Sequence, residues 1–551
     1  MTSVLFIIFH LMLYLFGRGF ILLLIRFTKL DMNTDNISIG NLNLKYFYPV
    51  IGLFAIGNLT VLMNFFLPIN NNFIKILFMF IILSNLLDRN MKFDLKSIMN
   101  LGIIPFILSI SSYGINLAQD AGLYHLNTQS WLRQEKIHLG LSNIHSRYGY
   151  SSLFDYISSN FWLNDNFLLI HFVNLTFIVL FFVFIFQNIF NKNTGFLNNL
   201  SVLIILFGIL DNFGMAGGRN GFIDIEAVTK YDTPFAIIYF LTGCLIINNL
   251  LNESYELFQF FVVLYLLLFA IQLRIFGMTL IPLFLVLGFR VFKKYKLQKI
   301  LSSALLPIFM LSIWIIKNVL ITSCLFFPVE QFCFSSLPWS DISSATLEAN
   351  DLKSFHIFYS LNQRPDVWFQ SWLTKPINYS TSVNYIVSLS LLFLFNFVFY
   401  KKRRIKKVSS NYPVIFLCLL VPYLVWLISA PGIRFGLGLF LLSISLISLP
   451  YHNSDQRFSV NKNFQNYTLF SFFLISILLL NRIDTYSSFA YKFQETVQVK
   501  TPSILYINNP LGWGVLPASG KSSCWINTEC MPESKQILLI QGSYNYFVHL
   551  N

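Results

Sequence analysis

Long apolar runs, separated by short polar segments, organise the chain from its first residues to about residue 480. Many of these runs reach the 18 or so residues that an α-helix needs to cross a hydrocarbon core of roughly 30 Å. The pattern therefore predicts an all-α, polytopic integral membrane protein with about fourteen transmembrane helices. The predicted spans are 3–25, 46–68, 72–88, 97–115, 166–188, 198–212, 233–250, 256–272, 276–291, 300–319, 381–400, 412–429, 433–450 and 466–481.

The charges between the spans predict a topology. If the basic run 401–407 faces the cytoplasm, alternation puts the segments 26–45, 89–96, 189–197, 291–299 and 451–465 on the same side, and these also carry Lys and Arg. Short cytoplasmic loops are typically enriched in these residues. The first outer loop (116–165), the second (212–232), the third (320–380) and the tail 482–551 then lie outside. Residues 1–481 form the predicted transmembrane domain, and 482–551 an extracytoplasmic C-terminal tail.

The composition supports a lipid environment. The chain is 55% hydrophobic and 11% charged, whereas a soluble domain carries about 25% charged residues. The net charge of +14 does not indicate a nucleic-acid partner, because the basic residues cluster between spans and no recognition motif accompanies them. The first apolar run has no basic n-region or cleavage site and is interpreted as a retained helix.

The first outer loop holds the densest set of reactive side chains. Asp120 follows a span directly, Tyr124 and His125 come next, and His145 and Arg147 lie further along. A carboxylate at the membrane edge can act as a general base or hold a divalent cation. The alternative is a helix-end Asp beside a solvated loop. The spacing of the histidines matches no compact zinc motif, so no metal site is predicted.

The second outer loop is glycine-rich and contains Arg219 and Asp224. Glycines let the backbone approach a ligand closely, and free N–H groups beside an arginine can receive an anion. The loop is neither a Walker loop nor a dinucleotide fingerprint. A flexible turn is the equally weighted alternative.

Later segments add basic and amide groups near span ends. Arg274 interrupts two apolar runs, where either a lipid phosphate or simple snorkelling would satisfy its charge. Lys317 and Asn318 end another span, and the following stretch 320–328 is expected to lie along the membrane surface. Arg434 begins a span on the outer side, where interfacial anchoring is the alternative to substrate binding.

The cysteines fit an oxidising exterior. Cys524 and Cys530 lie in the predicted outer tail, where their short spacing permits a disulfide but does not require one. Cys324 and Cys333 fall in the third outer loop.

Taken together, these segments resemble the GT-C superfamily of membrane glycosyltransferases and, more closely, a group of uncharacterised bacterial polytopic membrane proteins with the same layout. The segments that carry the resemblance are Asp120-x-x-Leu-Tyr-His, Gly140-Leu-Ser-Asn-Ile-His-Ser-Arg-Tyr-Gly, Trp314-Ile-Ile-Lys-Asn running to Pro328, Pro431-Gly-Ile-Arg-Phe and Cys524-Trp-Ile-Asn-Thr-Glu-Cys. They are short islands within residues 116–530.

The resemblance implies transfer of a sugar from a polyprenyl-phosphate donor to a glycan or lipid acceptor, at the outer face of a bacterial inner membrane, in surface polysaccharide assembly. It maps the catalytic carboxylate onto Asp120 and the groups near the carrier phosphate onto Arg274 and Arg434. Many members of the superfamily carry paired acids in the first outer loop, whereas Asp120 is flanked by Gln119 and Ala121. No cofactor is predicted, and a divalent cation stays an open alternative.

Within this hypothesis Arg219, Arg274 and Arg434 are the candidate cations for the leaving phosphate, and His125, His145 and Arg147 orient the sugars. Further substrate contacts are expected from Tyr124, Asp224, Lys317 and Asn318. Two other functions stay open. A polymerase or ligase of lipid-linked glycans would use the Arg and His groups without a base at Asp120. A transporter or flippase would need polar groups and broken helices near the middle of the membrane, whereas the predicted spans are apolar there.

Overall fold

The computed structural model describes residues 1–28, 38–87, 99–190, 195–210, 227–357, 365–400, 411–451, 490–511, 513–518, 523–542 and 544–549. Several predicted features lie outside these residues: Arg219, Asp224, the basic run 401–407 and the span 466–481. The basic loop residues Lys29, Arg89, Lys92, Lys96, Lys192, Arg457 and Lys462 lie outside them as well.

The described part of the chain is mostly helical. Its α-helices are α1 (Thr2–Thr28), α2 (Tyr48–Asn64), α3 (Asn72–Leu83), α4 (Ile104–Ser109), α5 (Leu126–Gln134), α6 (Leu153–Ser158), α7 (Leu168–Phe190), α8 (Phe196–Leu210), α9 (Asp232–Leu251), α10 (Leu257–Leu273), α11 (Ile281–Lys294), α12 (Leu297–Thr322), α13 (Ile342–Ile357), α14 (Pro365–Thr374), α15 (Pro376–Tyr400), α16 (Tyr412–Ser429) and α17 (Leu437–Ser448). Short 3-10 or π-helical segments extend several of them, including Met99–Ile103, Ile110–Gly114, Ala121–His125, Ser146–Tyr150, Ile275–Leu280 and Ile433–Gly436.

The described part of the chain also contains short antiparallel hairpins, which the predicted all-α fold did not include. They pair β1 (Ser38–Ile39) with β2 (Leu42–Asn43), β3 (Tyr506–Asn508) with β4 (Val515–Pro517), and β5 (Ile537–Ile540) with β6 (Tyr546–His549). The last two hairpins belong to the tail. The tail is therefore a small strand-containing unit.

Among the described residues, seven helices are long and apolar enough to cross a membrane, judged by length and composition. They are Thr2–Arg26, Leu168–Phe190, Asp232–Leu251, Ile275–Lys294, Leu297–Thr322, Asn378–Val398 and Tyr412–Ser429. Six shorter apolar helices coincide with the other predicted spans up to residue 450: Tyr48–Asn64, Asn72–Leu86, Asn100–Gly114, Phe196–Gly208, Leu257–Leu273 and Ile433–Ser448. A polytopic α-helical membrane protein is thus confirmed, and the count of fourteen spans stays a prediction.

The helices differ in how far the protein encloses them. In α7 and α9, 94% of the apolar window is buried inside the protein, against 17% in α15 and 22% in α16. Helices that are hydrophobic all round lie either inside a large protein or in a membrane. Because α15 and α16 leave large apolar side chains uncovered, we assign their outer surfaces to lipid.

The connecting segments gather at two opposite ends of the bundle. At one end, Val228 donates its N–H to Asn116 O, Gly140 to Leu320 O, and Phe167 to Val499 O. The start of α1, the segments 116–165, 227–232 and 320–341, and the tail therefore share this end, which we call the loop-rich end. The basic residues Lys293 and Lys294 precede α12. This helix has 26 residues and is therefore about 39 Å long, so the two lysines lie about that far from the loop-rich end.

The tail packs on the first of these loops. Leu139 forms a parallel bridge with Tyr546, and Asn143 donates its side-chain amide to Phe547 O at 2.7 Å. His138 stacks on the ring of Phe547. The predicted tail therefore lies on the same side of the bundle as the predicted first outer loop.

The structure of the stretch 320–328 differs from the predicted segment along the membrane surface. Helix α12 continues to Thr322, and a disulfide between Cys324 and Cys333 closes the loop that follows. This loop packs against Gly149 and Tyr150 of the 116–165 segment. A second disulfide joins Cys524 to Cys530 in the tail.

Candidate functional site

A cavity of about 880 Å³ opens at the loop-rich end of the bundle. It is lined by the segment 116–165, the beginnings or ends of α9, α10, α11, α12 and α16, the 3-10 segments Ile275–Leu280 and Ile433–Gly436, the loop 324–333 and helix α13. Volumes of this order are typical of small-molecule sites. Several of the predicted site residues line this cavity together: Asp120, Tyr124, His125, Arg147, Arg274, Asn318 and Arg434.

The first side of the cavity, which we call the first-loop wall, consists of Asp120, Tyr124 and Arg147. Asp120 precedes the π-helical turn Ala121–His125, and its carboxylate makes no N-cap hydrogen bond. Its Oδ2 lies 3.9 Å from Lys230 Nζ, and its side chain is 26% exposed. Within the described part of the chain this long contact is its one ion pair, so the carboxylate has lone pairs available to a ligand.

Tyr124 and Arg147 stand beside this carboxylate. Burial, followed by the nearby Tyr231 and Asp120, raises the pKa of the Tyr124 phenol well above its ordinary value. The phenol is therefore a hydrogen-bond donor at neutral pH. The Arg147 guanidinium lies 5.8 Å from the centroid of the Tyr124 ring.

A buried carboxylate fixes Arg147. Glu348 on α13 is 2% exposed, and its Oε1 lies 3.5 Å from Arg147 Nε. It also accepts hydrogen bonds from Ser146 Oγ and the Tyr150 hydroxyl. Burial alone would lower the pKa of Arg147, but Glu348, acting together with Tyr124, Tyr150 and Asp120, outweighs burial and raises that pKa. Arg147 thus stays charged and is held in one orientation.

The tail supports the first-loop wall from behind. Trp525 donates its backbone N–H to Gly122 O at 2.8 Å, and Ser130 Oγ donates to Ile526 O at 2.7 Å. A side chain at Gly122 would collide with the Trp525 ring, 2.6 Å from the position of a Cβ. The disulfide Cys524–Cys530 closes this tail loop, so it holds the turn that follows Asp120.

A second side of the cavity, which we call the helix-end wall, consists of Asp232, Arg274 and Arg434. Asp232 lies in the first turn of α9, where a negative charge interacts favourably with the helix dipole. Arg274 sits between α10 and the 3-10 segment that follows, and it forms an ion pair with Asp232. The reversal at this point brings Gly277 so close to Ala270 that a Cβ would lie 2.6 Å from the Ala270 carbonyl carbon.

Arg434 follows a turn at Pro431 and Gly432 that two tryptophan side chains stabilise by hydrogen bonds. Trp426 Nε1 donates to Gly432 O at 3.0 Å, and Trp372 Nε1 donates to Pro431 O at 2.9 Å. The Arg434 guanidinium lies 4.7 Å from the centroid of Phe435. Its Nε is buried and has no hydrogen-bond partner among the residues described here. A buried donor of this kind favours a ligand oxygen at the same position.

His125 lines the cavity but is fixed by the protein. Its Nδ1 lies 3.2 Å from Asp155 Oδ1, which also accepts a hydrogen bond from Gln129 Nε2. The imidazole packs 4.1 Å from the Tyr124 ring. This arrangement orients His125, and through it Tyr124.

Two predicted substrate-binding residues lie behind the lining. His145 is 7% exposed, and its Nδ1 accepts the N–H of Arg147 at 3.2 Å. Burial, followed by the charges of Lys535 and Arg147, lowers its pKa to about 3. Lys317 is fully buried and donates to the backbone oxygen of Ser151 at 2.5 Å and to its hydroxyl at 3.0 Å. Both residues position the loop 146–151 instead of facing a ligand.

Sequence reasoning missed the buried acids that organise the site. Asp155, Asp232 and Glu348 belong to no motif and pair with residues 30 to 201 positions away. The best available signal was Asp232 at the start of an apolar run. The described residues contain no group of three or more His, Cys, Asp or Glu side chains that could hold a metal ion.

The apolar helices and the polar cavity at one end of their bundle define a polytopic α-helical membrane protein with a well-formed candidate site in its described part. The chain belongs to the family described as Domain of unknown function (DUF8201), whose model matches residues 1–441. No curated protein and no solved structure matches the chain.

Proposed function

We propose that this protein is a GT-C-like glycosyltransferase that moves a sugar from a polyprenyl-phosphate donor to a glycan or lipid acceptor. One observation supports the proposal: the same cavity is lined by a carboxylate with oxygens available to accept a proton and by arginines suited to a phosphate. The loop-rich end would then face outward from a bacterial inner membrane, with the basic 401–407 run in the cytoplasm.

The lining of the cavity fits a substrate that is part lipid. Val421, Val425 and Ile428 of α16 line the cavity and are also 36%, 38% and 66% exposed on the surface assigned to lipid. The cavity thus extends from polar loops to an apolar helix face. A lipid chain can lie along that face while its phosphate and sugar occupy the polar part.

The charge of the helix-end wall fits a phosphodiester. Arg274 and Arg434 carry two positive charges, and Asp232 offsets one of them. One positive charge remains, which matches the single negative charge of a phosphate bonded to a lipid and a sugar. Fixed cations aimed at a leaving phosphate stabilise the charge that develops on it in the transition state.

The proposed reaction is a displacement at the anomeric carbon. The acceptor oxygen forms a bond to that carbon as the bond from the carbon to the phosphate oxygen breaks. The electron pair leaves with the polyprenyl phosphate, and Asp120 takes the proton of the acceptor hydroxyl. Tyr124 and Arg147 stand where they can hydrogen-bond the sugars.

The proposal is tested with purified protein in lipid vesicles that contain synthetic polyprenyl-phosphate hexoses, one hexose at a time. Oligosaccharides released from the surface glycans of the source cells serve as acceptors. We expect release of polyprenyl phosphate together with an equal amount of lengthened oligosaccharide for at least one hexose. Movement of the donor across the vesicle membrane with no new glycosidic bond would instead support a transporter and contradict the proposal.

A further inference from the structure

One wall of the cavity is a small closed loop that the reaction above does not use. Seven consecutive residues, 326–332, line the cavity, and they lie inside the loop closed by the Cys324–Cys333 disulfide. Leu325 donates its N–H to Phe332 O at 2.9 Å, and Phe334 donates to Ser323 O at 2.9 Å. The Asn318 amide donates to Leu325 O at 3.2 Å. The loop is therefore pre-formed and fixed to the end of α12.

This loop presents an aromatic ring and polar side chains together. Phe332 is 46% exposed, and Glu330 and Gln331 beside it are exposed as well. Phe326 packs edge-on against Phe332, with ring centroids 5.4 Å apart. Exposed apolar surface on a rigid loop is unfavourable in water, and it marks a binding surface when it lines a cavity.

We propose that the loop 324–333 is the subsite for the saccharide of the acceptor. The apolar C–H face of a sugar ring would pack on Phe332 and Phe326, and its hydroxyls would hydrogen-bond to Glu330 and Gln331. A lipid chain fits this surface poorly, because it would remove Glu330 and Gln331 from water without offering them partners. This assignment rests on the proposed function, since it divides the cavity between a donor and an acceptor.

The contacts of the loop put it on the acceptor side. Phe327 packs on Gly149 and Tyr150, and Thr346 Oγ1 of α13 donates to Glu330 Oε2 at 2.9 Å. The Arg274 guanidinium, by contrast, lies over Tyr231, Phe235 and Phe435. The loop and the cations that would hold the donor phosphate therefore belong to different walls. Two substrates can then meet between them, close to Asp120.

The chain offers a matched pair of variants. Phe332→Ala removes the ring that lines the cavity, whereas Phe334→Ala removes a ring that is similarly exposed, at 43%, but lies outside the lining. Equal thermal unfolding midpoints of the two proteins show that both keep the fold. Glu330→Gln keeps the size of the side chain and removes its charge.

The decisive experiment is equilibrium binding of oligosaccharides released from the surface glycans of the source cells, measured without donor. We expect the native protein and Phe334→Ala to bind with the same Kd, and Phe332→Ala to bind about tenfold more weakly, as partial loss of a buried ring implies. Glu330→Gln should weaken binding severalfold. Equal Kd values for both Phe variants, or no binding to the native protein, would overturn the assignment.

A second measurement separates this inference from the proposed function. In the transfer assay, Phe332→Ala should raise the KM of the acceptor and leave that of the donor unchanged. A raised donor KM would show that the loop holds the lipid-linked substrate, which contradicts the acceptor assignment. If the native protein binds oligosaccharide in the expected pattern but transfers nothing, the proposed function fails while a saccharide subsite remains.

Discussion

On the first-loop wall, Asp120 is 26% exposed and meets Lys230 at 3.9 Å, whereas on the helix-end wall Asp232 is 10% exposed and ion-paired with Arg274. The two aspartates line the same cavity in opposite states. Asp232 serves as a fixed counter-ion that sets the position of Arg274. Asp120 keeps its oxygens available. Residue type alone therefore does not identify the base, because ion pairing decides which carboxylate can accept a proton.

Arg434 should give the largest effect on the helix-end wall. Arg434→Ala removes the cation whose buried Nε has no hydrogen-bond partner in the described part of the chain. We expect kcat to fall about 10²–10³-fold, as for loss of one donor to a developing charge. Initial rates of polyprenyl phosphate release measure it. The control is Arg290→Ala at the opposite end of the bundle, where Arg290 meets Asn411 at 3.3 Å; similar losses in both variants would contradict the assignment.

The second prediction concerns stability and distinguishes the two aspartates directly. Asp232→Asn removes the carboxylate that pairs with the largely buried Arg274, and breaking such a pair costs about 3 kcal/mol. Asp120→Asn removes one exposed, distant ion pair and should cost less than about 1 kcal/mol. Thermal unfolding of the two variants in detergent compares them. Equal unfolding midpoints would show that Asp232 is not the structural partner described here.

The third prediction concerns how the stability of the fold depends on pH through His138, which packs on Phe547 of the tail and on Trp131. Burial lowers the pKa of His138 to about 4, so the folded protein keeps it neutral where the unfolded chain, with a pKa near 6.5, binds a proton. The contribution of neutral His138 to the free energy of unfolding is fully present above pH 6.5. It is lost as the pH falls toward 4, by about 1.4 kcal/mol per pH unit.

His138→Phe removes this titration and can keep the packing on Phe547 and Trp131. The difference in unfolding free energy between pH 7.5 and pH 5 should therefore be smaller in His138→Phe than in the native protein. The same acid sensitivity in both proteins would show that His138 does not remain neutral in the folded state.

Much of the fold could be predicted because hydropathy depends only on local sequence. Helices such as α1 (Thr2–Thr28) and α7 (Leu168–Phe190) follow from uninterrupted apolar runs. Asp120 and Arg434 were found because they lie at the ends of spans, which converge on one face, and Arg147 was found because it belongs to the dense polar segment of the first outer loop. The tail could not be placed on the first loop from sequence, since contacts such as Asn143 with Phe547 join residues 404 positions apart.

The roles inside the site were harder to predict for the same reason. Lys317 and Asn318 are neighbours at the end of α12, yet one is enclosed against Ser151 and the other lines the cavity. The direction in which a side chain points depends on packing between helices, which periodicity does not determine. Glu348 likewise carries no sequence signal, because its importance lies in the three donors that surround it.

Asp120 is proposed to remove the acceptor proton, and the Asp120→Asn variant isolates that step. The measurement is the turnover number at saturating donor and acceptor, with the donor Kd and the amount of folded protein determined on the same sample. We predict a fall in kcat of at least about 10²-fold, the range for loss of a general base, with the donor Kd unchanged. An Asp120→Asn protein that transfers sugar at the native rate would contradict the account.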